Sequence, residues 1–271
     1  MILEPEDRLV SVHLNYILGD LPLEQRFVVA RDLGFSAVEF PFPYETPARR
    51  YRRWLDGNGL SQVSIGAPAC DYRIGAPGFS LTPKLRGEFD RALDSAIAYA
   101  TEIGCRSVHV FAGGRPEDMS EEAIFDTYCA NMEAAKSRLS REGLQLVVES
   151  INAVDFKGYF MNRLDRFLAL ADRIGGDGLG LVLDVYHAAV SGDDALDFLV
   201  RRPDLVAHVQ LADFPGRHEP GTAGIDFEMF FAAMEASGYR GSVGLEYVPT
   251  RPIADGVPMT DRLFGKRTEG N

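Results

Sequence analysis

The sequence predicts a single-domain (β/α)8 barrel, and three features carry that expectation. Eight short β-branched or apolar runs alternate with longer amphipathic stretches, a βαβα rhythm that calls for a parallel sheet. Glycines close many of the amphipathic stretches, shortly before the next apolar run. The length of 271 residues fits one barrel, and no Ser-, Gly- or Pro-rich linker or shift of composition divides it, so residues 1–271 read as one domain. A doubly wound open sheet with extra strands is the competing architecture.

The strands are expected at residues 10–14, 37–40, 62–66, 107–111, 145–149, 180–184, 206–211 and 242–247. Between them, residues 85–103 and 121–141 repeat apolar side chains at spacings of three and four, the period of a helix that buries one face. Gly34, Gly59, Gly104, Gly143, Gly175 and Gly238 each follow a periodic run, where a left-handed cap would end the helix. Long loops at 67–83, 150–161 and 212–224 follow the third, fifth and seventh strands. All three leave strand C-termini, the face on which barrel enzymes keep their chemistry.

Hydrophobic residues make up 46% and charged residues 25%, enough to bury a large core and too ordered a balance for a disordered chain. Forty acidic residues against 28 basic ones give a formal charge of −12, which repels a phosphate backbone, so nucleic acid is not an expected partner. Small anions remain open, because one local arginine or metal outweighs a distant field. Cys70, Cys105 and Cys129 have neither CxxC spacing nor an even count, so no disulfide framework or zinc knuckle is expected. The acidic N-terminal residues lack the basic and apolar regions of a leader, and no apolar run approaches the roughly 20 residues needed to cross a bilayer. The expectation is a cytoplasmic protein without a membrane partner.

The last four expected strands each end in a residue able to bind a hard cation: Glu149, Asp184, Gln210 and Glu246. In a barrel these ends are neighbours around half the rim. Three carboxylates and an amide oxygen converging there repel one another unless a cation sits between them. Oxygen-dominated ligation suits one divalent cation, Mg2+ or Mn2+, better than structural zinc. Three further groups fall where a substrate would sit: Asp155 after strand five, His187 three residues after Asp184, and Arg217 in the loop after strand seven. An arginine beside a metal offers a fork for a carboxylate or paired oxygens. His208 shares the pleat face of Gln210 and serves either core packing, support of the site or substrate contact, whereas His13 and His109 read as satisfied barrel residues.

At these residues the chain resembles the xylose-isomerase-like sugar isomerase and epimerase superfamily, and within it the hydroxypyruvate isomerase family. The resemblance spans nearly the whole chain. It rests on Gly34-Phe35-Ser36-Ala37-Val38-Glu39-Phe40 with Phe42-Pro43-Tyr44, on Glu149-Ser150-Ile151-Asn152, on Asp184-Val185-Tyr186-His187, and on the run from His208 to Gly221. It implies that Glu149 and Glu246 bind metal and also form the catalytic acid/base pair, that Asp184 and Gln210 complete the metal site, and that Asp155, His187 and Arg217 contact substrate. Many relatives carry His at the position of Gln210. The chain departs from the family at Ser150, where Pro is common, at Ala188-Ala189-Val190, where a Gln is usual, and at Gly75-Ala76-Pro77-Gly78, where a Gly-Glu-Arg-Gly run is usual.

The implied reaction interconverts a small hydroxy-keto acid, of hydroxypyruvate or 2-oxo-tetronate type, with its isomer through an enediolate. Ketose 3-epimerisation uses the same machinery, a metal-dependent dehydratase is a further alternative, and a barrel with a vestigial site is the non-enzyme reading. The expected partners are a small hydroxy-carbonyl substrate and, as assembly, further copies in a homodimer or homotetramer.

Overall fold

Each of the expected strands forms, and their order around the sheet places the chemistry-bearing ends together. In the computed structural model, which describes residues 8–253 and Leu263, the strands are β1 (Val10–His13), β2 (Ala37–Glu39), β3 (Ser61–Gln62), β4 (Ile65–Gly66), β5 (Ser107–His109), β6 (Gln145–Glu149), β7 (Leu179–Asp184), β8 (Val206–Leu211) and β9 (Ser242–Leu245). Every pairing is parallel, and Val12 of β1 faces Val38 of β2 on one side and Leu245 of β9 on the other. The last strand therefore returns to the first, which decides for a barrel over an open sheet.

The third expected strand differs from its reading: residues 61–66 form two short pieces, β3 pairing with β2 and β4 with β5. Side chains bridge the break. The Gln62 amide donates to the Ser64 carbonyl at 2.8 Å and to the Phe40 carbonyl at 3.4 Å, and the Tyr51 hydroxyl donates to Gln62 Oε1 at 2.6 Å. These bonds satisfy backbone groups that a continuous ladder would have paired. Glu246 lies one residue beyond β9, yet its N–H still donates to Leu211 O at 3.2 Å, which holds it in line with its neighbours.

Among the described residues the α-helices outside the strands include α1 (Leu23–Asp32), α2 (Ala48–Asn58), α3 (Arg86–Ile103), α4 (Glu121–Arg141), α5 (Leu164–Ile174), α6 (Val185–Ser191), α7 (Ala195–Arg201) and α8 (Phe227–Ala236). α4 shows why the sequence folds this way. Ser120 caps its N-terminus by accepting from Ala123 N at 3.2 Å, and Ile124, Tyr128, Met132, Ala135 and Leu139 recur at helical spacing on its buried face. At the end of α2, Gly59 takes φ 64°, and Leu60 N donates back to Leu55 O at 3.0 Å, the left-handed closure that a side chain would strain. β7 is buried at all six positions, as a parallel strand covered on both faces should be. No helix among the described residues is long and apolar enough to cross a membrane.

Candidate active site

At the C-terminal ends of the strands a cavity of about 680 Å3 opens, lined by Glu149, Gln210 and Glu246 together with His187 and Arg217. That volume lies in the range of small-molecule sites. Asp184 stands just behind this wall and is 3% exposed. It also caps α6: its Oδ1 accepts from His187 N at 3.0 Å, so one carboxylate both starts the helix and aims His187 at the site.

Arg217 sits among the carboxylates. Its Nη2 donates to Asp184 Oδ2 at 2.9 Å and to Glu246 Oε1 at 2.6 Å, and its Nη1 donates to the Tyr16 hydroxyl at 3.2 Å. The guanidinium packs against the rings of Tyr16 and Tyr186, 4.7 and 5.2 Å from their centroids. Its backbone is left-handed, φ 57°, a conformation uncommon outside glycine that persists where surroundings enforce it. Asp213 supplies that enforcement. Fully buried, it accepts from the N–H groups of Phe214, Gly221, Ala223 and Ile225 and so fixes the loop.

Glu39, which the sequence reading quoted in a motif but gave no role, lies at the end of β2 and joins the cluster. Its Oε1 accepts from Ser11 Oγ at 2.7 Å, and its Oε2 accepts from Gln210 Nε2 at 2.6 Å. The same Gln210 nitrogen donates to Glu246 Oε2. Two carboxylates thus fix which end of the amide is nitrogen, and they leave Gln210 Oε1 buried with no partner. His208 Nε2 lies 3.1 Å from Glu39 Oε1, close enough to act on its charge. Burial raises the Glu39 carboxyl, but His208, His13 and Ser11 outweigh it and hold the group at about 2. A carboxylate inside a strand, on the same face as buried Ala37, was the available signal.

The other two glutamates behave oppositely. Burial pushes Glu149 well above the ordinary carboxylate range, with Glu246 and Asp184 adding to it. Burial likewise raises Glu246 to about 8 against the opposing pull of Arg217. The imidazoles beside Glu149 bring no charge. His187 Nε2 lies at 3.6 Å and His109 Nδ1 at 3.9 Å, and burial lowers these rings to about 4 and about 3.

Asp155 is not brought to the cavity wall. It is exposed, and its Oδ2 accepts from Asn152 Nδ2 and from the Tyr186 hydroxyl, both at 3.0 Å. His109, expected to be satisfied in the barrel, has a buried Nε2 with no partner and lines the cavity. Although Gly75-Ala76-Pro77-Gly78 lacks an arginine, Arg73 of the same loop lines the cavity, with its Nε donating to Asp71 at 3.1 Å.

The residues fit a divalent cation. Asp184 and Glu246 share the Arg217 guanidinium, while Glu39 and Glu149 add two further buried carboxyl groups to the cluster. Gln210 adds an oxygen with nothing bound to it, and ligand atoms of Glu149 and Asp184 lie within 4.8 Å of each other. Oxygen donors in excess of local positive charge are the chemistry of a hard-cation site.

A parallel barrel with an acidic, cation-suited cluster at its C-terminal mouth defines a class of barrel enzymes. The xylose isomerase-like TIM barrel family model matches residues 27–263, and the chain belongs to that family. Its relatives include the 2-oxo-tetronate isomerase of Cupriavidus necator, 33% identical, the match covering 94% of this chain and 98% of that protein. The hydroxypyruvate isomerase of Escherichia coli is 31% identical, over 93% of this chain and 97% of that protein. Among solved structures, one described as AP endonuclease, family 2, from Brucella melitensis superposes with a TM-score of 0.88 at 30% identity, covering 93% of this chain and 98% of that one.

Proposed function

We propose that the chain is an isomerase that interconverts a small hydroxy-keto acid, of hydroxypyruvate or 2-oxo-tetronate type, with its isomer. The observation that carries the reading is the pair of buried glutamates, Glu149 raised well above the ordinary carboxylate range and Glu246 raised to about 8, facing one cavity of small-molecule size. The full-length likeness to two isomerases of such acids supports it.

The reaction needs a proton removed from the hydroxyl-bearing carbon next to the ketone and a proton delivered to the former carbonyl carbon. The hydroxyl hydrogen passes to the neighbouring oxygen, so atoms balance without an oxidant. One glutamate takes the first proton, and it or its partner returns one to the adjacent carbon. Burial of both groups keeps water from competing for the enediolate between the two steps. Glu149, Asp184, Gln210 and Glu246 would hold a divalent cation, Mg2+ or Mn2+, which when bound supplies a Lewis acid for the substrate's adjacent oxygens.

Arg217 bears on the substrate. Its Nη2 is shared by Asp184 and Glu246, so a substrate carboxylate meets the Nη1 edge beside Tyr16, or Arg73 on the cavity rim. The same commitment of Arg217 favours a second reading, 3-epimerisation of a neutral ketose, which needs no free fork. Turnover by cation-loaded protein of hydroxypyruvate and 2-oxo-tetronate, set beside neutral ketoses, separates the two. The keto acids are expected to react, and conversion of ketoses with none of the acids establishes the epimerase instead.

A further inference from the structure

Asn152 is buried beside His187 and held from three sides. Its Oδ1 accepts from the backbone N–H groups of Val154 at 3.0 Å and Asp155 at 2.8 Å. Its Nδ2 faces two acceptors, Asp155 Oδ2 at 3.0 Å and His187 Nδ1 at 2.6 Å, one for each amide hydrogen. Turning the amide over would set its oxygen against a carboxylate oxygen and its NH2 against two backbone N–H groups. The orientation is therefore fixed by the surrounding bonds. A ring nitrogen that receives a hydrogen bond carries a lone pair, so the neutral imidazole has its hydrogen on Nε2. That nitrogen points at the site, 3.6 Å from Glu149 Oε1 and 3.8 Å from Asp184 Oδ2.

We infer that Asn152 is a positioning residue for the proposed isomerisation: by donating to Nδ1 it fixes His187 as the Nε2–H tautomer, a hydrogen-bond donor to a substrate oxygen and not a ligand of the cation. The inference rests on the isomerase reading for the identity of that oxygen. An N–H aimed at an oxygen that gains negative charge as the enediolate forms stabilises it, whereas a lone pair there would repel it. Asp155 gains a place in the same chain. It does not line the cavity, but its Oδ2 accepts from Asn152 and Tyr186 and so holds Asn152 in the orientation that sets the ring.

The test is a long-range 1H–15N correlation spectrum of the full chain labelled in its histidines, with the His187 ring identified by its loss in His187→Gln. The wild type should show a hydrogen on Nε2 and none on Nδ1. Asn152→Asp, whose carboxylate accepts from Nδ1, should place a hydrogen on Nδ1 and cut kcat by ~100-fold, with a smaller change in KM. A wild-type ring protonated on Nδ1, an unchanged ring in Asn152→Asp, or a wild-type kcat in a variant whose ring has changed overturns the assignment. The spectrum needs no substrate. Absence of keto-acid turnover with the expected tautomer would count against the isomerase reading and leave the tautomer standing.

Discussion

Across the mouth of the barrel, β6 to β9 lead to Glu149, Asp184, Gln210 and Glu246, while β1 and β5 bring His13 and His109 to the same cavity. Both halves are buried, yet burial acts on them in opposite senses. It raises Glu149 and Glu246, and it lowers His13 to about 4 and His109 to about 3. The histidine half is therefore neutral near pH 7 and cannot balance the acidic half. Arg217 is the guanidinium placed among the carboxylates, and Glu39 adds a further negative charge from the histidine side. On the proposed function, the remaining charge would come from a divalent cation.

The largest effect should come from breaking the acidic half. Glu149→Gln and Glu246→Gln keep an oxygen at each strand end but remove the base, so kcat should fall by ~10²- to 10⁴-fold with little change in melting temperature. His13→Gln and His109→Gln, in the neutral half, should cost far less when assayed alongside. Equal losses in both halves would erase the contrast.

Much of this contrast was legible in the sequence. Four ligand-type residues at four successive strand ends need only the strand register to be brought together, and that register follows from apolar runs such as Leu146-Val147-Val148 before Glu149. Glu39 was harder to assign because its role depends on Ser11, His208 and Gln210, residues from strands far apart in the chain. The split of the third strand depends on the side-chain bonds of Gln62, which no periodicity announces. The position of Arg217 between Asp184 and Glu246 is set by a left-handed residue in a loop tied together by Asp213, and loop geometry of that kind is not written in a hydrophobic pattern.

Removing the internal cation should come next in size. Arg217→Met leaves buried carboxylates uncompensated, a class of change that costs ~3 to 5 kcal/mol, read from urea unfolding of metal-free protein. Added Mg2+ or Mn2+ should recover part of the loss if the cluster binds it. No loss of stability would show that Asp184 and Glu246 do not depend on this guanidinium.

The pH dependence sharpens the comparison further. Glu246 is raised in the folded state from 4.5 to about 8, so folded metal-free protein binds more protons than unfolded protein in that window, and stability falls as pH rises through it. His13 and His187 are lowered from 6.5 to about 4, so their contribution is present above 6.5 and is lost as pH falls toward 4. Between pH 6.5 and 8 the raised carboxyls act without the histidines. Melting temperatures of metal-free protein should therefore decline over that interval, and a saturating divalent cation should flatten the decline.

The smallest effect expected is from Gly244→Ala. A Cβ at that position falls on the Glu39 carboxylate and on Ser11 Oγ, so the network that seats Gln210 must shift, at ~1 to 3 kcal/mol of stability. Unaltered stability would mean that Glu39 has room to move and does not hold the amide.

Proton exchange in D2O tests the central claim most directly, because it reports removal of the carbon-bound proton itself. Wild-type protein loaded with Mg2+ or Mn2+ is incubated with hydroxypyruvate or 2-oxo-tetronate and followed by 1H NMR, alongside Glu149→Gln and Glu246→Gln. The predicted result is isomer formation with deuterium on the carbon adjacent to the former ketone or at that carbon itself, and loss of both signals in the two variants. Neither isomer nor deuterium from any of these acids with the wild type, or undiminished exchange in both variants, would contradict the assignment of Glu149 and Glu246 as the acid/base pair of a hydroxy-keto acid isomerase.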